Sequence, residues 1–366
     1  MRWQLLATAD LHFGNNHGAG TVDKRGINSF LRIREAVFKE MIDTAKRKRC
    51  PIIVAGDALD APVVDPATAE SFHRCLRYAH KKNVTIVFIA GNHESNGVHS
   101  IIGSYAHLKL DNIKFFYEPT VISLGKIQLY CVPYTERVPD DEYKIVRRYI
   151  QEATREVNDM HKVLVLHYPI IGCKYDSGST VTSGFNLGAL VASEGNPFDA
   201  ILAGDFHDRQ SLPGVKNFLY LGQPYWSDFS SAGKKRGYTL FNFDLGKRRL
   251  VQPKGCPVFR ALHNIDKASD INVDLTNTIV RVYMAREADA QKVYEQCYKL
   301  GAIKVMIKRE PHDKRLLNVN VKYKFDDDRR SAIAAYVKDN KKKMPKGMKR
   351  KYLTQIGLKT FKEATQ

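Results

Sequence analysis

Side chains that could hold metal ions recur in this sequence directly after short apolar runs with the character of β-strands. They are Asp10 and His12 (ATADLH), Asp57 (VAGDALD), Asn92 and His93 (IAGNHE), His167 (VLHYP), and Asp205 and His207 (AGDFH). A lone histidine at a strand end is usually structural, but five strands that deliver such groups at the same relative place indicate one shared site. Oxygen and imidazole ligands without thiolates suit Mn²⁺, Fe²⁺ or Zn²⁺.

These groups are too numerous for a single ion and predict a two-metal site, with the ions about 3.5–4 Å apart and one carboxylate shared. Such a pair holds a phosphoryl group and lowers the pKa of a bridging water, which then attacks phosphorus in line. Glycines precede Asp57, Asn92 and Asp205. We expect these glycines to let the chain turn sharply, so that the three side chains point into one cleft.

The elements that must position these groups alternate between strands and helices up to about residue 250. The predicted strands are WQLLATA, PIIVAGD, VTIVFIAGNH, IQLYCVP, KVLVLH, DAILAGD and YTLFNFD, and helical spacing of apolar residues covers 29–47, 66–81 and 140–160. This pattern predicts an α/β domain layered around a sheet. In such sheets ligands gather at the carboxyl ends of the strands, where the polar groups stand.

The pattern changes after QPKGCP (252–257). A strand NTIVRVYMA, a helix over 286–299 and two strands, IKVMIKRE and LLNVNVKYKF, predict a small second α/β unit. The remaining chain is basic and helical in pattern. We therefore predict three parts: 1–253, 254–330 and a basic helical tail over 331–366.

The composition indicates a soluble protein with a polyanionic partner. The formal net charge is +19, from 58 Lys and Arg against 39 Asp and Glu, and clustered cations bind phosphate backbones. The six cysteines are scattered without a C-x-x-C pair, which indicates reduced thiols and a cytoplasmic location. No apolar run is long enough to span a membrane, and the N-terminus has the pattern of a first strand rather than a secretory signal.

The motifs D-x-H, G-D-x-x-D, G-N-H-[ED], a later H and G-x-x-H, in this order, resemble those of the calcineurin-like metallophosphoesterases. The following segment, DRQSLPGVKNFLYLGQPYWSDFSSAGKKRGYTLFNFD, is similar to its counterpart in SbcD-type nucleases. The resemblance implies a layered α/β sandwich over 1–253, a DNA-capping domain over 254–330, and a tail that binds an SbcC-type ATPase.

The resemblance also implies roles for individual residues. One ion would be held by Asp10, His12, Asp57 and His207, and the other by Asp57, Asn92, His167 and Asp205, with Asp57 as the bridge. His93 would not bind metal. It would lie over the scissile phosphate, where it stabilises developing charge or protonates the leaving 3′ oxygen.

Position 205 departs from the family pattern, which usually has histidine there. Aspartate is able to replace an imidazole at a hard divalent ion, and the alternative is that Asp205 only orients a water while the second ion binds weakly. Asp60 is followed by Ala61 and Pro62. This lack of an R-G pair disfavours the Ser/Thr protein phosphatases, although they share GNHE.

The expected function is that of a DNA exonuclease and endonuclease subunit in an SbcCD-like complex for double-strand-break processing and recombination. Its cofactors would be two divalent ions, Mn²⁺ first and Mg²⁺ second. The expected partners are DNA, the ATPase subunit and a second copy of the chain, with DNA contacts at His17, Lys24 and Arg25. A phage-encoded member, in the host cytoplasm, would suit the length and the change at 205. The alternatives are a phosphatase or nucleotide phosphodiesterase and a catalytically weakened DNA-binding scaffold.

Overall fold

Two β-sheets packed face to face form the centre of the structure, a computed structural model that describes residues 4–309 except 16, 19, 97–98, 136–138, 176 and 285–288. The predicted strand LLNVNVKYKF and the tail 331–366 lie outside these residues. The first sheet has the order β11-β10-β1-β2-β3-β4, from β1 (Gln4–Thr8), β2 (Ile52–Ala55), β3 (Ile86–Ile89), β4 (Ile113–Phe116), β10 (Tyr238–Asn242) and β11 (Lys247–Val251). The second runs β5-β6-β7-β8-β9, from β5 (Thr120–Leu124), β6 (Ile127–Val132), β7 (His161–His167), β8 (Ala200–Gly204) and β9 (Phe218–Tyr220).

The central strands are apolar on both faces, so each sheet is covered on both sides. Leu5 of β1 and Val163 of β7 meet in the core between the sheets, whereas Leu6 and Leu164 face the outer helices. The first sheet is covered by α1 (Ser29–Lys48), α2 (Pro66–Lys81) and α3 (Ile101–Ala106), and the second by α4 (Pro139–Arg155) and α5 (Leu187–Glu194). The predicted layered α/β fold is confirmed.

Strand direction brings the site together. β1 to β4 are mutually parallel, and so are β6 to β9. Their carboxyl ends therefore lie along one edge of the sandwich, which is where parallel strands present their following loops. The loops after β1, β2, β3, β7 and β8 carry all the predicted metal ligands and His93.

The predicted helix 140–160 is correct over its first part and wrong at its end. Val146, Tyr149 and Ile150 are buried as predicted, but α4 ends at Arg155 and Val157 is 99% exposed. The chain bends after α4 and enters β7 at His161. The apolar side chain of Val157 extended the helical pattern by coincidence.

A third, three-stranded sheet has the order β12-β13-β14, with β12 (Val258–Ile265), β13 (Thr278–Met284) and β14 (Ala302–Arg309), and α6 (Ala290–Lys299). Val280, Val282 and Val293 belong to a core cluster of their own. The strand–helix–strand prediction is confirmed here, but β12 was missed because His263 and Asn264 interrupt its apolar pattern. The capping role of 254–330 stays a prediction. Among the described residues, no helix is long and apolar enough to cross a membrane.

Candidate metal centre

His167 is held in the tautomer that a metal ligand requires. Its Nδ1 lies 2.8 Å from the carbonyl oxygen of Ala55, so Nδ1 donates its hydrogen there. Its Nε2 then faces Asn92 Oδ1 at 2.9 Å and Asp57 Oδ2 at 3.4 Å. An imidazole lone pair opposite two oxygens that also carry lone pairs is stable only with a cation between them.

A second convergence lies on the other side of Asp57. The Nε2 atoms of His12 and His207 are 3.1 Å apart, and His12 Nε2 is 3.7 Å from Asp57 Oδ2. His12 Nδ1 lies 3.0 Å from a carboxylate oxygen of Asp60, which favours the hydrogen on Nδ1 and the lone pair on Nε2. The same Asp57 oxygen therefore faces both histidine groups.

Asp10 supplies a buried oxygen that the fold leaves unused. Its Oδ1 accepts a hydrogen bond from the backbone N–H of Asp205 at 3.0 Å, but its buried Oδ2 has no hydrogen-bond partner among the described residues. One ligand atom from each of Asp10, Asp57 and His167 lies within 4.8 Å of the others. Carboxylate and imidazole groups left facing each other in this way fit divalent metal ions.

The backbone is strained where it presents these side chains. Asp10 (φ 55°), His12 (φ 41°), Asp57 (φ 51°) and Asp205 (φ 99°) all adopt positive φ, which L-residues other than glycine seldom do. Each such residue costs on the order of 1–3 kcal/mol and persists where the surroundings impose it. The fold therefore gives up stability to aim four of the predicted ligands into one cleft.

The preceding glycines matter for close approach as well as for turning. A Cβ atom at Gly56 would lie 2.0 Å from His167 Nδ1, and one at Gly91 would lie 2.0 Å from Asp57 Oδ1. Any side chain at either position would displace a predicted ligand. The sequence argument had assigned these glycines to sharp turns alone.

Burial and mutual charge shift the pKa of several groups in the centre. Burial raises the pKa of Asp10 and of Asp205. Burial would also raise the pKa of Asp57, but the neighbouring imidazoles, His167 first, hold it below its ordinary value. Burial would lower the pKa of His167, but Asp57 and other carboxylates raise it to about 10. The carboxylates thus create a negative field that favours a cation at His167 Nε2.

His93 differs from the other histidines by its exposure. Its side chain is 44% exposed, against 4% for His12 and 0% for His167. Its Nδ1 lies 3.1 Å from the carbonyl oxygen of Asp60, and its backbone N–H donates to Asp57 Oδ1 at 3.0 Å. Ligand atoms of His12, Asp57 and His93 also lie within 4.8 Å of one another. Proximity alone therefore does not separate a catalytic His93 from a metal ligand.

Asp205 stands at the edge of the same centre. Among the described residues, none forms a hydrogen bond or ion pair with its carboxylate, whereas a residue that only orients a ligand would be bonded to it. Asp205 is in neither of the two sets of mutually close ligand atoms. Direct metal binding by Asp205 stays a prediction, which the free carboxylate supports.

Substitution at 205 should separate the two interpretations. We expect Asp205→Ala to lose the second ion and most of the hydrolysis rate, because two cations would no longer hold the reacting groups. Asp205→His should retain Mn²⁺-dependent activity and lose preference for Mg²⁺, since an imidazole is a softer ligand. Elemental analysis and rates with each ion measure both effects. An Asp205→Ala variant with two bound ions and full activity would contradict direct binding.

Two residues in the motifs received no role from the sequence. Asp60 contacts His12 through its carboxylate and His93 through its carbonyl, so it positions both imidazoles. Glu94 is fully buried and accepts hydrogen bonds from the backbone N–H groups of Leu59 (2.9 Å) and Gly91 (2.8 Å). It joins the loops after β2 and β3. The motif positions themselves, G-D-x-x-D and G-N-H-E, were the signals that could have found them.

The three predicted DNA contacts are not alike. Lys24 and Arg25 are exposed in a turn of the first loop. His17 instead stacks on Phe30 with ring centroids 3.7 Å apart, and burial followed by the charge of Arg34 lowers its pKa to about 4. A neutral, stacked imidazole offers no charge to a phosphate, so the prediction for His17 is the weakest of the three. Tyr220, Tyr225 and Trp226 are buried in the core and do not present faces to bases.

The family model for calcineurin-like phosphoesterases matches residues 4–209, more than half of the chain, and the chain therefore belongs to this family. Together with the clustered ligands, this membership defines a metal-dependent hydrolase of phosphoesters. The chain is also similar to SbcD, the nuclease component of SbcCD from Escherichia coli K12, with 22% identity over 287 residues, 70% of this chain and 68% of that protein. The corresponding protein from E. coli O157:H7 gives the same values.

Solved structures are more distant. A dimetal phosphatase from Danio rerio shares 11% identity with a TM-score of 0.43, over 66% of this chain and 92% of that chain. GAP50, the anchor in the inner membrane complex of Plasmodium, shares 10% identity with a TM-score of 0.45, over 85% and 98%.

Proposed function

We propose that this chain is a Mn²⁺-dependent DNA nuclease, with exonuclease and endonuclease activity, and the nuclease subunit of an SbcCD-like complex for break processing and recombination. The observation that carries the proposal is the position of Asp57 Oδ2, which faces His12 on one side and His167 on the other. This is the arrangement a shared carboxylate needs between two ions. The similarity to a nuclease component supports DNA as the substrate.

The residues of the centre divide the work of hydrolysis. Divalent ions, when bound, neutralise charge on the phosphate and lower the pKa of a water. Asp10, His12, Asp57 and His207 would hold one ion, and Asp57, Asn92, His167 and Asp205 the other. The contacts to Ala55 and Asp60 fix the rings of His167 and His12 before substrate arrives, which removes the cost of orienting them during the reaction.

His93 is placed for proton transfer. Because its Nδ1–H donates to the Asp60 carbonyl, its Nε2 is left for the substrate. A proton on Nε2 would pass to the leaving 3′ oxygen or stabilise the charge that develops there. Its exposed side chain lies on the open side of the centre, where a phosphodiester must enter.

Charge supports a polymeric substrate. The net charge of +19 favours a polyanion, and the exposed Lys24 and Arg25 are suited to contact phosphates that flank the scissile one. His17 would contribute through the loop it anchors. A small phosphomonoester needs neither the excess charge nor the third sheet.

The partners are part of the same proposal. A second copy of the chain and an SbcC-type ATPase would complete the complex, with residues 254–330 as a DNA-capping domain and the tail 331–366 as the ATPase-binding helix. Tyr352, Leu353, Ile356 and Phe361 supply an apolar stripe in the sequence of that tail. The tail lies outside the described residues.

A comparison of substrates tests the function. We expect the purified chain to degrade linear duplex DNA with Mn²⁺ and not with EDTA, and to hydrolyse p-nitrophenyl phosphate poorly under the same conditions. Electrophoresis and absorbance measure the two reactions. Rapid hydrolysis of p-nitrophenyl phosphate without DNA cleavage would instead assign a phosphatase. DNA binding without either reaction would assign a scaffold.

A further inference from the structure

A row of basic side chains lies along the sandwich away from the strand ends that form the metal centre. We call it the basic edge and define it as Lys46, Arg47, Lys48 and Arg49 at the end of α1, with Lys247, Arg248 and Arg249 of β11. All seven are exposed. Within the described part of the chain, none of them forms an ion pair with a carboxylate.

The helix end and the edge strand join through a set of hydrogen bonds. Arg47 Nη2 donates to Thr44 Oγ1 at 3.3 Å, and Thr44 Oγ1 lies 3.1 Å from the hydroxyl of Tyr238. Arg249 is opposite Leu240, two residues from Tyr238 and therefore on the same face of the sheet. Arg47 and Arg249 thus belong to one continuous surface.

The opposite face of β11 carries a pair of like charges. Arg248 is opposite Phe241 in the ladder, and Arg209 donates to Thr239 on that same face. Burial, followed by the charge of Arg248, lowers the pKa of Arg209 to about 10. Like charges held together without a carboxylate destabilise the fold. Positive charge therefore covers both faces of this edge.

Ordinary structural roles explain only part of this arrangement. Cations in the last turn of α1 interact favourably with the helix dipole, and charges on β11 prevent pairing with another sheet edge. Neither role requires Arg248 beside Arg209, or the helix end and β11 to share one basic surface. The carboxylate of Glu40 accepts from the backbone of Lys254 nearby and neutralises none of the seven side chains.

We propose that the basic edge binds the phosphate backbone of a nucleic acid duplex, at a surface separate from the metal centre. Because α1 connects the carboxyl end of β1 to the amino end of β2, Lys46 and Arg49 lie at the end of the sheet opposite the centre. An array of phosphates would neutralise the helix end and β11 together and release counterions. This proposal does not require DNA to be the substrate of the metal centre.

Substitution of the three β11 cations tests the proposal. The variant Lys247→Gln, Arg248→Gln, Arg249→Gln removes charge from exposed positions. A matched control, Lys109→Gln, Lys114→Gln, Lys216→Gln, removes three exposed cations elsewhere. Fluorescence anisotropy with a labelled duplex of about 40 base pairs, in EDTA over a range of KCl, measures affinity. We expect at least about a tenfold loss for the β11 variant and a salt slope smaller by about 2–3, with the control within about twofold of wild type.

The outcomes separate this surface from the catalytic one. Hydrolysis of bis(p-nitrophenyl) phosphate with Mn²⁺ should be the same in both variants and wild type, and thermal unfolding checks that each is folded. An unchanged affinity and salt slope in the β11 variant would overturn the proposal. So would a selective loss of heparin binding with duplex binding intact, because it would indicate an acidic partner other than nucleic acid. The anisotropy result stands even if the chain cleaves no DNA.

Discussion

Asp57→Asn is expected to bind neither metal ion and to lose activity almost entirely. The Oδ2 atom of Asp57 lies 3.7 Å from His12 Nε2 and 3.4 Å from His167 Nε2, so one oxygen serves both ligand groups. An amide removes the negative charge and places an N–H₂ donor among groups that need a cation. The rate should fall by more than the roughly 10²–10³-fold cost of deleting one electrostatic stabiliser. Elemental analysis of the purified variant measures metal content directly.

Asp10→Asn is the matched control for this prediction. Asp10 is equally buried and carries an unpartnered carboxylate oxygen, but the proposed assignment gives it one ion only. It should therefore retain about one ion per chain. If Asp57→Asn still binds two ions tightly, or if both variants lose the same amount of metal, Asp57 is not the bridge.

The ligands could be predicted because each follows a buried strand, and a parallel sheet collects its carboxyl ends at one edge. The sequence does not reveal that β2 and β7 belong to different sheets that face each other. The hydrogen bond from His167 to Ala55 crosses between these sheets, so the tautomer of His167 required the tertiary structure. The same holds for Glu94, whose partners Leu59 and Gly91 are contacts between loops.

The secondary structure shows a similar division. Long amphipathic segments such as α1 and α2 follow their periodicity closely, because a wide apolar face must be buried. The short β4, β5 and β9 were not predicted, since three to five residues carry too little pattern. The end of α4 was wrong because Val157 matches the helical spacing but finds no core to pack against.

His93→Gln is expected to keep both ions and DNA affinity while its rate falls by about 10²–10⁴-fold, the usual cost of losing a positioned acid or base. Glutamine can still donate a hydrogen bond to the Asp60 carbonyl, as Nδ1 of His93 does at 3.1 Å. It cannot carry a proton to the leaving oxygen. His167→Gln is the matched control: it removes an imidazole of the same centre that is fully buried, and it should lose metal.

The leaving group distinguishes the two roles left for His93. Bis(p-nitrophenyl) phosphate releases a phenolate that needs little protonation, so a general acid contributes less to its hydrolysis than to that of DNA. If His93 donates a proton, His93→Gln should lose much less activity with this ester than with DNA. If His93 stabilises charge on the phosphoryl oxygens, the two losses should be similar. Metal content that falls in parallel with the rate would instead make His93 a ligand, the role that its proximity to His12 and Asp57 permits.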